Sequence, residues 1–202
     1  MEIRQFLVGD NFSYVIYCGR TRKAVLIDPG LNASEAMKFI GYENLELLFI
    51  INTHHHRDHV SETARVQDIY KCDVIASVQD SARMEGVTKT VADSEVMMLG
   101  DVKLEFILTP GHTAGSICVL ADGRALFTGD TLFIGDCGRT DMDDGSPADM
   151  YASMQKLKAL PDDIVMYPGH DYGPKPTDTL GGQKRTNKTL LADSFEAFSH
   201  IP

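Results

Sequence analysis

Residues 53–59 read Thr53-His54-His55-His56-Arg57-Asp58-His59, which places four imidazoles and a carboxylate within seven positions. The side chains of His54, His56, His59 and Asp58 are borderline nitrogen and oxygen donors, suited to a divalent transition ion at about 2.0–2.1 Å. The segment follows the run 45–51, in which six of seven residues are apolar, as expected of a buried strand. The ligands therefore begin where a strand ends. His54 and His56, two apart on a loop, are expected to converge on one ion. Asp58 and His59 open the next helix and face the neighbouring side, so two adjacent ion positions are expected.

Three further ligand-type residues close β-like runs, each directly after a glycine: Gly111-His112, Gly129-Asp130 and Gly169-His170. Glycine lets the backbone turn sharply there and approach an ion closely. Ligands at strand ends collect at one edge of a sheet layer, and a carboxylate such as Asp130 between two ions has the chemistry of a bridge. Only His55 and His200 fall outside this pattern.

The elements that must position these groups follow from periodicity and turn residues. Strands are expected at 12–17, 24–27, 45–51, 74–76, 96–99, 102–108, 117–120, 125–128 and 164–167. One helix starts at Asn32 or Ser34 and ends at Gly41. Another runs from 61–63 to about Lys71, and a third is capped by Ser146 with Pro147 at its first position. A tail helix is expected over 186–198, and Gly181-Gly182 with the stretch 174–179 reads as a mobile loop. No Pro- or Gly-rich linker interrupts the alternation, so a single domain over 1–202 with a short C-terminal helical tail is expected.

Bulk properties narrow the function. With 43% hydrophobic residues, 202 residues suffice for one substantial core. A net charge of −10 offers no footprint for a phosphate backbone, which argues against nucleic acid as partner and for a small molecule. Cys18, Cys72, Cys118 and Cys137 are widely spaced, so neither a zinc knuckle nor a disulfide framework is indicated. No signal pattern opens the chain, and no apolar run approaches the ~20 residues that span a bilayer. A cytoplasmic protein without membrane attachment is expected; nothing in the sequence fixes an oligomeric state.

The motif His54-x-His56-x-Asp58-His59, with Gly111-His112, Gly129-Asp130 and Gly169-His170, resembles the metal-binding pattern of the metallo-β-lactamase superfamily over roughly residues 10–172. Asp28 before Pro29-Gly30 resembles that family's buried aspartate at the end of an early strand. The resemblance implies an α/β (α+β) fold, an αββα sandwich of two mixed β-sheets flanked by helices. It also implies a division of ligands: His54, His56 and His112 on one ion, Asp58, His59 and His170 on the other, and Asp130 between them. Histidine rather than glutamate at 56 sets the chain apart from the diiron flavoprotein branch.

Within the family, Asp136-Cys137-Gly138-Arg139 and His170-Asp171-Tyr172 resemble two branches that handle glutathione-type thiols. These are glyoxalase II, the hydroxyacylglutathione hydrolase, and the persulfide dioxygenases. Glyoxalase II usually carries aromatic residues after the arginine and a helical C-terminal domain that grips glutathione; here Thr140-Asp141 follow, and 32 residues remain after His170. The segment Gly138-Arg139-Thr140-Asp141 is closer to persulfide dioxygenases and to short glyoxalase II-like proteins. The resemblance implies a metallo-hydrolase that cleaves a thioester by metal-activated hydroxide, using two divalent ions (zinc, with iron or manganese as alternatives). Asp58 would then be the catalytic carboxylate, and Arg139 and Tyr172 the contacts to a small thiol-derived substrate. The alternative it implies is a persulfide dioxygenase with one Fe(II) on His54, His112 and Asp130.

Overall fold

The computed structural model of the chain describes residues 1–201. The apolar runs form two six-stranded sheets. The first contains β1 (Glu2–Val8), β2 (Asn11–Tyr17), β3 (Lys23–Ile27), β4 (Glu46–Ile51), β5 (Asp73–Ser77) and β6 (Lys89–Val91), adjacent in that order. Its first three strands are antiparallel and the rest parallel. The second sheet contains β7 (Val96–Leu99), β8 (Val102–Leu108), β9 (Ile117–Ala121), β10 (Ala125–Gly129), β11 (Val165–Pro168) and β12 (Asp178–Thr179). Its order is β12-β11-β10-β9-β8-β7, with only β10 and β11 parallel. Both sheets are therefore mixed.

Parallel neighbours need crossovers. Helix α1 (Ser34–Tyr42) joins β3 to β4; α2 (Arg57–Val60) and α3 (Thr63–Tyr70) join β4 to β5; α4 (Pro147–Lys158) lies between β10 and β11. Three short helices, α5 (Leu180–Thr186), α6 (Lys188–Leu191) and α7 (Phe195–Ser199), follow β12.

The alternation of side chains along a strand assigns each face to a core. On β2, Phe12, Tyr14 and Ile16 enter the cluster between the sheets, where Val25, Ile27, Phe106, Val119 and Phe127 meet them. The opposite faces of β2 and β3, through Val15, Ala24 and Leu26, pack on Ala36 and Ile40 of α1 and Val66 of α3. The outer face of the second sheet packs Cys118, Leu120, Leu126 and Met166 on Met150, Met154 and Leu157 of α4 and on Leu180, Leu190 and Phe198. Helix, sheet, sheet and helix thus form four layers, the αββα sandwich. Strands buried on both faces are why the sequence reads as apolar runs there.

Several local expectations change. β1, β6 and β12 lie outside the expected strands. Helix α1 continues through Gly41 to Tyr42. The Gly181-Gly182 segment is helical rather than a loop: Thr179 caps α5 by accepting from Gly182 N, and Leu180 and Gln183 are buried beneath it. The expected tail helix is divided, because Asn187 turns inward to donate to the carbonyls of Phe133 and Asp136 and caps α6, while Ser194 caps α7. Among the described residues no helix is long and apolar enough to cross a membrane.

Candidate metal centre

All seven ligand-type residues of the sequence reading meet at one rim of the sandwich. The segment after β4 supplies His54, His56, Asp58 and His59 from the first sheet; the segments after β8, β10 and β11 supply His112, Asp130 and His170 from the second. Backbone hydrogen bonds stitch the sheets together beside them. Ile117 N donates to Thr53 O at 2.9 Å, and Phe12 N to Gly169 O at 2.8 Å. The glycine expectation holds in detail at two positions. Gly129, before Asp130, has φ +48°, and Gly111, before His112, has φ +140°. A Cβ at Gly129 would collide with Thr53, and one at Gly111 with the backbone of Met150.

Two groups of donors form. His54, His56 and His112 make one; Asp58, His59 and His170 make the other. His112 Nε2 lies 2.9 Å from His56 Nδ1, and His59 Nε2 lies 3.1 Å from His170 Nε2. Asp130 stands between them, with Oδ2 3.5 Å from His112 Nε2 and 3.3 Å from His170 Nε2, and Oδ1 3.3 Å from His59 Nε2. Ligands at about 2.0–2.1 Å in a tetrahedron stand roughly 3.3 Å apart, so these separations suit ions. The donor chemistry agrees: His54 Nε2 and Asp130 Oδ1 are buried without a hydrogen-bond partner. Buried polar atoms left this way are costly unless something else completes them.

Electrostatics point the same way. Burial and neighbouring His59 hold His54 well below its ordinary value, and burial with His112 lowers His56 to about 4, leaving both rings neutral. For His170, burial acts downward but is outweighed by hydrogen bonds to Asp130 and Asp58, which raise it to about 9. For His59, burial is outweighed by Asp130 and Asp28. Asp58 is lowered, first through its hydrogen bond with His170. The carboxylates therefore demand positive charge among them, which a divalent ion carries.

The outward atoms of these donors are held too, the arrangement that orients metal ligands. His59 Nδ1 lies 3.0 Å from Asp28 Oδ2, and Asp28 also accepts from Thr53 N at 2.8 Å and Thr53 Oγ1 at 2.7 Å. His112 Nδ1 donates to Arg139 O at 2.8 Å, and Asn11 Nδ2 donates to Asp58 Oδ2 at 2.9 Å. Sequence reasoning found Asp28 but missed Asn11 and Thr53, whose partners lie far away along the chain. It also missed Asp80, which binds His55 (Nδ1 to Oδ2, 2.9 Å).

A cavity of about 290 Å³ opens beside the cluster, with His112, Asp130, Phe133, Ile134, Arg139 and Tyr172 in its wall. Tyr172 stacks on His170 with ring centroids 4.6 Å apart, and burial followed by nearby Asp10 pushes its phenol up to about 12. Arg139 is exposed and grips Asp141 through two hydrogen bonds of 2.7 and 2.8 Å.

Residues 7–170 match the metallo-beta-lactamase superfamily. A hydroxyacylglutathione hydrolase of Rhodospirillum rubrum is 35% identical over 201 residues, covering 97% of this chain and 76% of that protein. One from Brucella anthropi is 39% identical over 176 residues, covering 85% of this chain; the chain spans 66% of that relative's length. The crystal structure of ETHE1 from Myxococcus xanthus superposes with a TM-score of 0.90 at 31% identity, covering 100% of this chain and 92% of that one. Family and relatives together class the chain as a metallo-hydrolase that binds divalent metal. With the match extending across both ligand-bearing sheets, the chain belongs to the metallo-beta-lactamase superfamily.

Proposed function

We propose that this chain is a glyoxalase II-type hydrolase that cleaves a thioester such as a hydroxyacylglutathione, with two divalent ions, zinc first and iron or manganese as alternatives. The observation that carries the reading is the pair of adjacent donor groups with Asp130 between them, a complete ligand supply for two ions. His54, His56 and His112 would hold one ion and Asp58, His59 and His170 the other, with Asp130 between the two groups. Ions held there would supply an activated water, its pKa lowered to about 7, and polarisation of a carbonyl.

The chain's own residues do the rest. Asp58 is the catalytic carboxylate: Asn11 fixes its Oδ2, and with its side chain 39% exposed it reaches the solvent side of the cluster, where it would orient the attacking hydroxide as well as help hold an ion. Phe133 and Ile134 give the cavity an apolar wall for the thiol moiety. Tyr172 remains protonated at neutral pH and donates a hydrogen bond to the substrate. Arg139 exchanges Asp141, an exposed partner worth little, for a substrate carboxylate. The names of the Rhodospirillum rubrum and Brucella anthropi relatives support the hydroxyacylglutathione assignment.

A second reading has a geometric basis of its own. Asp130 Oδ2 lies 3.5 Å from His112 Nε2 and 3.9 Å from His54 Nε2, a two-histidine, one-carboxylate set of the type that serves a single ferrous ion in oxygenases. In that case the chain is a persulfide dioxygenase, and the other donors act as hydrogen-bond partners. Metal analysis with two assays decides. Two equivalents of metal with cleavage of a hydroxyacylglutathione support the hydrolase; one iron with oxygen uptake on glutathione persulfide overturns it.

A further inference from the structure

We infer that Asp80 is a positioning residue for the ion assigned to His54, His56 and His112, acting through the two residues that lie beside those ligands in the chain. The inference rests on the ligand assignment made above. Asp80 lies in the segment after β5 and is 1% exposed. Its Oδ2 accepts from His55 N at 3.0 Å, stands 2.9 Å from His55 Nδ1, and accepts from Thr113 Oγ1 at 2.9 Å. His55 separates His54 from His56, and Thr113 follows His112. One carboxylate oxygen therefore ties the ligand segment of the first sheet to a ligand segment of the second.

The link acts on the backbone. The bond from His55 N sets the plane of the peptide joining His54 to His55. The ring bond turns the His55 side chain away from the cluster, so its neighbours on either side face inward. This also accounts for His55 as the histidine in the motif that joins neither donor group: Nδ1 is engaged by Asp80, and Nε2 lies 3.3 Å from Arg83 Nη1. The same arginine is 3.2 Å from Asp144 Oδ2. A fixed cation there opposes reading His55, Asp80 and Asp144 as a third ion site.

The carboxylate itself is held in place. Asp80 N donates to Ser77 Oγ at 3.1 Å, and Thr113 is fixed by Ser116, whose Oγ lies 2.8 Å from the Thr113 hydroxyl. Gly115 packs so close that a Cβ there would collide with Asp80 Oδ1, which is buried without a partner. Burying a charge with one oxygen unsatisfied is unfavourable. Asp80 Oδ2 nonetheless takes donors from both ligand segments at once, and that convergence is what fits it to orient three ligands through their neighbours.

The test is zinc affinity by competition with a chromophoric chelator, together with the visible absorption of the cobalt(II)-loaded protein, on Asp80→Asn and Thr113→Val. Loss of a ligand-orienting partner weakens metal binding by about 10- to 100-fold. Asp80→Asn is expected to weaken one ion by that factor and change its cobalt(II) bands while the other ion binds as in the wild type. Thr113→Val should weaken the same ion by less, and carries the test alone if Asp80→Asn does not fold. Folded variants that hold both ions with wild-type affinity overturn the inference. So does equal weakening of both ions in step with a lower Tm, the signature of a merely structural role. A wild-type chain that holds no ion sinks the ligand assignment itself, which is a different outcome from two wild-type ions unaffected by the substitutions.

Discussion

Replacing Asp28 by asparagine tests how the ligands are oriented. Asp28 is 2% exposed, sits at φ +48°, and receives Thr53 N, Thr53 Oγ1 and His59 Nδ1 at 2.8, 2.7 and 3.0 Å. Asparagine tolerates left-handed backbone at least as well as aspartate, so the change removes charge and one acceptor without new backbone strain. The amide carbonyl keeps the bond from Thr53 N. At the Oδ2 position an NH2 group now meets two donors. The threonine hydroxyl rotates away, but His59 must move its proton to Nε2, the atom that faces His170 and Asp130.

The loss is one charge-assisted hydrogen bond, about 1.5–3 kcal/mol. At about 2–4 °C per kcal/mol for a chain of this length, Tm falls by roughly 3–12 °C. The tautomer change removes the lone pair from the metal side, so the ion proposed on Asp58, His59 and His170 should bind about 10- to 100-fold more weakly. Thermal melts read the first effect and chelator competition the second. An Asp28→Asn protein with the lowered Tm but undiminished affinity for both ions would refute the tautomer argument.

Other changes probe separate parts of the site. His112→Ala should abolish activity in either enzyme reading, and a folded variant with full activity refutes the ligand set. His170→Ala should cripple a two-ion hydrolase more than a mono-iron oxygenase, measured as the ratio of residual thioester cleavage to residual oxygen uptake. Gly30→Ala drives a Cβ into the backbone carbonyl of Asp58, shifting α2 and with it Asp58 and His59. Its cost is about 1–3 kcal/mol, and a variant with wild-type Tm and activity contradicts that contact. Burial and then Asp136 push the Cys137 thiol up to about 12. Only about one molecule in ten thousand is then thiolate at pH 8, so iodoacetamide should leave Cys137 unmodified although it lines the cavity, and alkylation at the rate of a free thiol would contradict this.

The parts legible in the sequence were those in which local pattern and tertiary role coincide. Strands β2, β3, β9 and β10 are buried on both faces, so their apolar runs announce them, and β8 is announced by alternation, its Lys103 and Glu105 facing away from Leu104 and Phe106. The candidate ligands announce themselves by following such runs. β1 escaped because its residues are half-buried or exposed, and its pairing with β2 holds it rather than its own hydrophobicity. Helix α5 escaped because two glycines obscure a helix that Thr179 caps and Leu180 anchors. The single tail helix failed on Asn187, which looks unremarkable in sequence but is wholly buried, bonded to carbonyls some fifty positions earlier. Asp80 and Asn11 lay beyond reach for the same reason: each acts on residues that only the folded chain brings near.

The division of the candidate ligands between the two sheets would make any ions held by them a cross-link as well as a reaction centre. Four donors come from one layer and three from the other, so sliding either layer by a fraction of an ångström alters the distances between the two sets. Cations held there would rivet this rim of the sandwich beyond its two backbone hydrogen bonds. Their removal would let the rim breathe, which would make resistance to proteolysis there a gauge of metal loading.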